Sequence, residues 1–257
     1  MTTTENIAKT EVTTADLRVR DLLLKALTFS SGAIDAISFL AMGKVFTAFM
    51  TGNVVFLGIL MAGAGGPSAL AVVVSIAAFS AGAYLSWRIV QPVSASEAAG
   101  VWPRRVTFAI GLSLIAHVAF LVVWMAVDGR QMPGVTACLL GCWAFAMGMQ
   151  SAAVRSLHVD GVFTTAATAT ILFLAGDLAA WSATTVERRR LAGVLLALLL
   201  GAISGGWLVA RAPFFAPLLP LTVTLLVVVV AATALRERIG TENRKQVSSP
   251  STTETPH

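Results

Sequence analysis

The sequence VFTAFMTGNVVFL at Val45–Leu57 returns as VFTTAATATILFL at Val162–Leu174, with six identical positions and no gap. Two copies of one segment predict a structure built from two similar halves. In membrane proteins made of repeats, the binding site commonly lies where the repeats meet. The repeated segment therefore predicts an architecture and also indicates where functional residues should be sought.

The composition indicates that the folded chain lies in a lipid bilayer. Of the 257 residues, 56% are hydrophobic and 12% are charged, and the mean hydropathy is +0.81. Soluble domains carry about 25% charged residues. The net charge of +5 fits basic residues at the ends of membrane spans, so no nucleic acid partner is expected. We predict an all-α integral membrane protein that contacts the lipid bilayer.

Apolar stretches of about 20 residues are candidates for membrane-spanning helices. Two stretches, Leu22–Met42 and Val135–Val154, are apolar but interrupted by Gly, Ser, Asp or Gln, which predicts broken or re-entrant elements. The six stretches predicted to span the membrane are Phe46–Ala64, Ser68–Val90, Val106–Val127, Phe163–Thr184, Leu191–Ala210 and Leu218–Leu235.

The distribution of Lys and Arg favours six crossings. With eight crossings and an inner N-terminus, the three Arg residues of 88–105 share one outer connection, which the positive-inside rule disfavours. With six crossings these residues and Lys44 lie inside. The basic residues that remain outside are Arg130, Arg155 and Arg211. Each half then crosses three times, so repeats 22–127 and 134–235 are inverted. The alternative is eight crossings with a parallel repeat.

The two ends of the chain differ from the membrane domain, 22–235, in being polar. Residues 1–21 are rich in Thr, and residues 236–257 are charged and then rich in Ser, Thr and Pro. Such composition predicts disordered tails. Because basic residues lie beside both ends of the membrane domain, both termini are expected in the cytoplasm.

Asp35 is the first candidate site residue, because a carboxylate within a membrane segment is costly and commonly functional. It lies in the interrupted stretch, shortly after Ser30, Ser31 and Gly32. Two interpretations remain open. The carboxylate couples transport to a proton or cation, or it braces the local backbone.

Two pairs of threonines form the second candidate. Thr47 and Thr51 are four residues apart and share a helix face, and Thr164 and Thr168 repeat this spacing in the second copy. Both pairs are predicted at helix starts, where free amides and a partial positive charge favour an anion or a polar solute. The alternative is that the hydroxyls join helices to one another. We expect the two pairs to meet in one central polar region.

The remaining candidates are not the same in the two copies. Gly52 permits close backbone approach and Asn53 brings a buried amide that needs partners. The second copy has Ala169 and Thr170 there instead, so any site is asymmetric. Gln150 falls near Gly32–Asp35 when the copies are overlaid, and it either bridges helices or contacts a solute. Asp177 is a second candidate acid.

Enzymatic activity is not expected, because the sequence has no nucleophile elbow, P-loop, dinucleotide-binding or H-E-x-x-H motif. Cys138 and Cys142 lie one turn apart without His or carboxylate neighbours, so neither a metal nor a cofactor is predicted. Gly201 and Gly205 predict a packing face for another helix of the same chain.

The pattern Gly32-x-x-Asp35-Ala36-x-Ser38-Phe39-Leu40, followed by Val45-Phe46-Thr47-x-x-x-Thr51-Gly52-Asn53, resembles the YoaK-type family of bacterial inner-membrane proteins. The likeness covers roughly residues 22–235. It implies about six spans and a place in the bacterial inner membrane. The family is a domain of unknown function and implies no activity or substrate. At Gln150-Ser151 and Thr168-Ala169 the chain departs from the family pattern.

Taken together, these features favour a multi-pass permease or channel-like protein for a small polar or anionic solute. The alternative is a membrane scaffold, sensor or assembly partner that transports nothing. The sequence also allows a homo-oligomer. The residues predicted to bind or couple the solute are Asp35, Thr47, Thr51, Gly52, Asn53, Gln150, Thr164, Thr168 and Asp177.

Overall fold

The computed structural model describes residues 14–91, 101–127, 132–159, 167–180 and 185–234, and within these ranges the chain is helical with no β-strand. The elements are α1 (Thr14–Ala41), α2 (Met50–Met61), α3 (Ala69–Val90), α4 (Arg104–Ala126), α5 (Pro133–Arg155), α6 (Ala167–Ala180), α7 (Thr185–Arg211), a 3₁₀ turn (Pro213–Phe215) and α8 (Leu218–Ala234). The predicted all-α fold is confirmed.

Six of these helices are long and apolar enough to cross a bilayer, namely α1, α3, α4, α5, α7 and α8 with its preceding turn. The other two are short, with 12 residues in α2 and 14 in α6. Helices of these lengths extend about 18 and 21 Å, whereas the hydrocarbon core is about 30 Å thick. The prediction of six spans plus two shorter elements is therefore confirmed.

The short elements are not the ones that the sequence indicated. Leu22–Met42 and Val135–Val154, predicted to be broken, lie in the continuous helices α1 and α5. Phe46–Ala64 and Phe163–Thr184, predicted to span, contain the short helices α2 and α6. The assignment was wrong because the Gly and Ser residues of α1 and α5 pack against neighbouring helices and do not interrupt the backbone.

Glycines bring four of the long helices into backbone contact. A Cβ atom at Gly32 of α1 would overlap the carbonyl oxygen of Leu198 in α7. In the same way, a Cβ atom at Gly148 of α5 would overlap the carbonyl oxygen of Phe79 in α3. Helices in lipid associate through such close packing, since burial of apolar surface gives little driving force there.

The same two helix pairs contain a second set of contacts, in which the glycine lies on the other helix of each pair. Gly201 of α7 lies against the carbonyl of Phe29 in α1, and Gly82 of α3 lies against that of Phe145 in α5. Phe145 lies 116 positions after Phe29, and Gly201 lies 119 positions after Gly82. The same two offsets relate the first set of contacts. The α1–α7 and α3–α5 pairs therefore pack at equivalent positions.

The packing face predicted at Gly201 and Gly205 is confirmed as a contact within the chain. Gly205 of α7 lies against the backbone of Ala33 in α1. In water, Gly and Ser are weak helix formers, which is why they suggested a break. In this bundle they allow two helix backbones to approach each other.

The apolar core forms two clusters at opposite ends of the bundle, here named end A and end B. End A holds the starts of α1, α4 and α7 and the ends of α3, α5 and α8, among them Leu24, Ile110, Leu191, Val90, Val154 and Ala231. End B holds the opposite ends of these helices, among them Ile37, Phe120, Val72 and Leu140. Consecutive long helices therefore run in opposite directions.

This alternation places the two short helices at opposite ends. Phe56, Leu57 and Leu60 of α2 pack on the end B cluster, where α1 stops and α3 begins. Leu174 of α6 packs on the end A cluster, where α5 stops and α7 begins. Each short helix therefore lies in a connection whose two ends are at the same end of the bundle.

The first helix reaches further towards the N-terminus than the sequence indicated. It begins at Thr14 and so includes residues 14–21, which were assigned to a disordered tail. The rest of that predicted tail and the whole of 236–257 lie outside the described residues.

Candidate functional site

Helix α1 ends at end B in a left-handed turn formed by Gly43 and Lys44, whose φ angles are 82° and 66°. The amide of Lys44 donates to the carbonyl of Phe39 at 3.2 Å. This bond closes a Schellman-type helix end, in which glycine supplies the left-handed residue at no steric cost. The turn directs residues 45–49 back against α1 before α2 begins.

Asp35 of α1 holds this returning segment through its backbone. Its Oδ1 atom accepts hydrogen bonds from the amides of Thr47 at 2.9 Å and Ala48 at 2.8 Å. The hydroxyl of Thr47 donates to the same oxygen at 3.4 Å. Thr47 and Ala48 are buried, and Asp35 is partly buried. Charge-assisted bonds of this kind are stronger than neutral ones, and here they brace a non-helical segment.

Asn53 of α2 binds the backbone of Phe46, the residue before Thr47. Its Oδ1 atom accepts from the amide of Phe46 at 3.1 Å, and its Nδ2 atom donates to the carbonyl of Phe46 at 2.6 Å. Asn53 is fully buried. The side-chain amide of Asn53 therefore bonds to both backbone groups of Phe46. Lipid offers no hydrogen-bond partner for such groups.

The ring of Phe46 fills the space between α1 and α2. Its centroid lies 4.9 Å from that of Phe39, 5.3 Å from that of Phe49 and 6.1 Å from that of Phe56. A Cβ atom at Gly52 would come within 2.7 Å of the Phe49 ring, so this position admits only glycine without rearrangement. These rings pack beside the hydrogen bonds between Asn53 and the backbone of Phe46.

The sequence analysis did not single out the aromatic part of this cluster. Phe46 recurs as Phe163 in the repeated segment, and that identity was the available signal. Phe39 and Phe49 have no such signal, because their proximity depends on the left-handed turn.

Gln150 lies elsewhere, at the contact of α5 with α1. Its Nε2 atom donates to the carbonyl of Leu27 at 3.3 Å, and its Oε1 atom is buried without a partner among the described residues. Ser31 is one turn further along α1, and its hydroxyl is also buried with no described partner. Leu27, Ser31 and Asp35 follow one another at four-residue spacing and share one face of α1. The Leu27 carbonyl and the side chains of Ser31 and Asp35 therefore place polar groups along about 12 Å of this helix.

The structure brings together only some of the predicted residues, namely Asp35, Thr47, Gly52 and Asn53. Thr51 and Thr168 are exposed on α2 and α6, which lie at opposite ends of the bundle. Thr51 and Thr168 therefore do not meet in a central region. Thr164 lies outside the described residues, as does the side chain of Asp177 in α6.

The geometry of the chain is that of a multi-pass membrane protein, and comparison with known proteins identifies its family. The family model described as "Protein of unknown function (DUF1275)" matches residues 23–231. The chain belongs to this family. The UPF0700 transmembrane protein YoaK of Bacillus subtilis (strain 168) is 28% identical over 159 residues, which is 62% of this chain and 67% of the relative. The predicted resemblance to the YoaK-type family is confirmed. No solved structure matches the chain.

Among the described residues, no three His, Cys, Asp or Glu side chains are placed to hold a metal ion. The Oδ1 atoms of Asp35 and Asn53 accept hydrogen bonds from backbone amides. The cluster at the end of α1 supports the segment before α2. Gln150 Oε1 and Ser31 Oγ are among the buried polar atoms without a described partner.

Proposed function

We propose that this protein is a permease or channel-like protein for a small polar solute, with helices α1–α4 and α5–α8 as inverted repeats. Each half has the order long, short, long, long, and the short helices lie at opposite ends. Helix α1 packs on α7 as α5 packs on α3, and α1 packs on α8 as α5 packs on α4. Any two-fold axis exchanges partners in this way, and because α1 and α5 run in opposite directions, the axis expected here lies in the membrane plane.

The register of the glycine contacts supports the same arrangement. The offsets of 116 and 119 positions hold for two separate sets of contacts, and Val162 lies 117 positions after Val45 in the repeated segment. Unrelated helix pairs have no reason to share their offsets. A two-fold axis that exchanges the halves would pass between α1 and α5, the first helices of the two halves, so their contact lies at the centre of the interface between the repeats.

The observation that carries the transport proposal lies at this contact. Gln150 Oε1 and Ser31 Oγ are both buried without a described hydrogen-bond partner. Leaving such a group unpaired costs about 1–3 kcal/mol. Unpaired polar atoms at the junction of two repeats are expected where a solute or water supplies the missing hydrogen bonds during transport, because such a partner offsets their cost.

The unpaired atoms indicate which solute fits best. An amide oxygen only accepts hydrogen bonds, whereas a serine hydroxyl both donates and accepts. Gln150 Nε2 donates one of its two N–H groups to Leu27, and Oε1 is the atom of this side chain that lacks a described partner. A neutral solute that carries N–H or O–H groups therefore matches this pair better than an anion does.

The basic residues favour the cytoplasmic side for end A. Most described Lys and Arg residues lie at end A: Arg18, Arg20, Lys25, Arg88, Arg104, Arg105, Arg155, Arg188, Arg189 and Arg190. End B has Lys44 and Arg211. The positive-inside rule then favours a cytoplasmic position for both termini, and the likeness to a bacterial transmembrane protein supports the inner membrane.

Liposomes test the proposal. The purified protein is reconstituted, and osmotic swelling is followed with urea, glycerol, small amino acids and small anions. We expect swelling faster than in empty liposomes for at least one neutral solute. Ser31→Ala should slow it while leaving the thermal unfolding temperature unchanged or higher, because the substitution removes an unpaired buried hydroxyl.

Ser75→Ala is the matched control. Ser75 of α3 is also buried with an unpaired hydroxyl, but it lies away from the α1–α5 contact. It should leave the swelling rate unchanged. Equal effects of the two substitutions would reject the site, and failure of every solute to enter would favour a scaffold, sensor or assembly partner.

A further inference from the structure

A groove of about 560 Å³ runs along the outer surface of the bundle between α4 and α8. We name it the α4–α8 groove. Its walls are mainly apolar, with Gly111 and Ile115 of α4 facing Val228 of α8. Polar groups occur at its end A mouth, where Trp102, Arg104 and Thr107 line it.

The depth of the groove matches one leaflet of a bilayer. From Arg104 to Ile115 the lining follows α4 for about 17 Å, since each helical residue rises about 1.5 Å. One leaflet contributes about 15 Å, half of the hydrocarbon core. Ile115 is 66% exposed, so the groove opens where lipid chains lie. Its length and lining fit an acyl chain.

The mouth of the groove carries a positive charge that no described residue pairs with. Arg104 is exposed and has no hydrogen bond or ion pair with a described residue. The neighbouring Arg105 instead donates to the carbonyl of Gln91 at 2.9 Å and fastens the end of α3. The indole of Trp102 is fixed by its bond to the Thr107 hydroxyl at 2.9 Å. A fixed tryptophan beside a basic residue is typical of the headgroup region.

We propose that the α4–α8 groove binds an anionic phospholipid, with an acyl chain along α4 and the phosphate against Arg104. Basic pockets between spans on the cytoplasmic side recognise anionic headgroups in this way. A second copy of the chain fits less well, because it would bring two Arg104 side chains together. The apolar walls also exclude a polar solute. The proposal is independent of transport.

Native mass spectrometry of the full-length protein in detergent tests this, with phosphatidylglycerol or phosphatidylcholine added. We expect retention of phosphatidylglycerol over phosphatidylcholine and a rise in the thermal unfolding temperature with phosphatidylglycerol only. Arg104→Gln should weaken phosphatidylglycerol binding about fivefold, the effect of one basic residue near an anionic lipid. Gly111→Leu should reduce binding of both lipids by filling the groove, since a Cβ atom there has only Val228 Cγ1 nearby, at 3.7 Å.

Arg88→Gln is the charge-matched control. Arg88 lies at the same end, but its guanidinium bonds to the Tyr84 hydroxyl at 3.3 Å and does not line the groove. It should bind phosphatidylglycerol like the wild type. Equal losses in both Arg variants would show a diffuse basic surface and overturn the proposal, as would equal retention of the two lipids. A dimer that Gly111→Leu dissociates, with unchanged lipid binding, would assign the groove to a second copy.

Discussion

The side chains of Asp35 and Asn53 form hydrogen bonds with backbone groups of the segment between α1 and α2. These bonds explain how a non-helical segment persists beside a membrane-spanning helix. Irregular backbone in lipid is tolerated only where protein satisfies it. Asp35 accepts from two amides and Asn53 bonds to both polar groups of Phe46. The cost of burying these side chains is thereby offset by the bonds that the segment would otherwise lack.

Replacement of Asp35 separates its two proposed roles. Asp35→Asn keeps an oxygen that accepts from Thr47 and Ala48, so the unfolding temperature in detergent should fall only slightly. Asp35→Leu leaves both amides unpaired and should lower the free energy of unfolding by about 2–6 kcal/mol. If Asp35→Asn folds but no longer supports solute uptake, the carboxylate also couples transport.

The control for this pair is Asp21→Leu. Asp21 forms a 3.0 Å ion pair with Arg20 near the surface, and such pairs contribute at most about 1 kcal/mol. A stable Asp35→Leu variant, with an unfolding curve like that of Asp21→Leu, would show that the bonds to the loop contribute nothing.

Asn53→Asp tests the donor half of the second clamp. The substitution preserves shape but places an acceptor against the carbonyl of Phe46, where Nδ2 now donates at 2.6 Å. We expect a loss of about 1–3 kcal/mol in the free energy of unfolding. Thr51→Val, on an exposed face of the same helix, should change little. Unchanged unfolding of Asn53→Asp would contradict the clamp.

At this scale the sequence predicted more of the residues than of their arrangement. Asp35, Thr47, Gly52 and Asn53 were singled out, and the structure places them together. Gln150 was predicted to bridge or to contact solute, and it does bridge to Leu27. Thr51 and Thr168 do not meet, because that prediction assumed that α2 and α6 approach from opposite sides to a common depth, whereas these helices lie at opposite ends of the bundle.

Among the helices, the glycine positions explain both the fold and the error in assigning it. A glycine in an apolar stretch signals either a break or a close helix contact, and composition is the same in both cases. In α1 and α5 the contact interpretation is correct, since Gly32 and Gly148 touch backbone of α7 and α3. Only the location of the partner helix distinguishes the two, and a single sequence does not contain it.

Gly148→Ala tests this contact. The added methyl group would overlap the carbonyl of Phe79 and force α3 and α5 apart, at a cost of about 1–3 kcal/mol. Gly111→Ala is the matched control, because its Cβ atom meets only Val228 at an ordinary 3.7 Å. It should be neutral or stabilising by up to about 1 kcal/mol through helix propensity. Equal unfolding temperatures for the two variants would contradict the close packing of α3 on α5.

For the whole molecule, the count of basic residues could not choose between two arrangements of six crossings. If α1 and α5 returned on the same side, Arg130, Arg155 and Arg211 would lie outside. If α2 and α6 are the elements that return, Lys44, Arg130 and Arg211 lie outside. Three basic residues remain outside in both arrangements, so the positive-inside rule does not distinguish between them. Packing decides, because it gathers the end of α5 with the starts of α1 and α7.

The two arrangements differ in the sides on which Lys44 and Arg155 lie, and both residues are exposed. We therefore predict opposite labelling of Lys44→Cys and Arg155→Cys in a background with Cys138→Ala and Cys142→Ala. A membrane-impermeant maleimide applied to spheroplasts should label Lys44→Cys directly, and should label Arg155→Cys only after the membrane is permeabilised. The reason is that Lys44 follows α1 at end B, whereas Arg155 ends α5 among the basic residues of end A. Labelling of Arg155→Cys alone in intact spheroplasts would restore the arrangement in which α1 and α5 return, and labelling of both would show that the two ends of the bundle do not correspond to the two sides of the membrane.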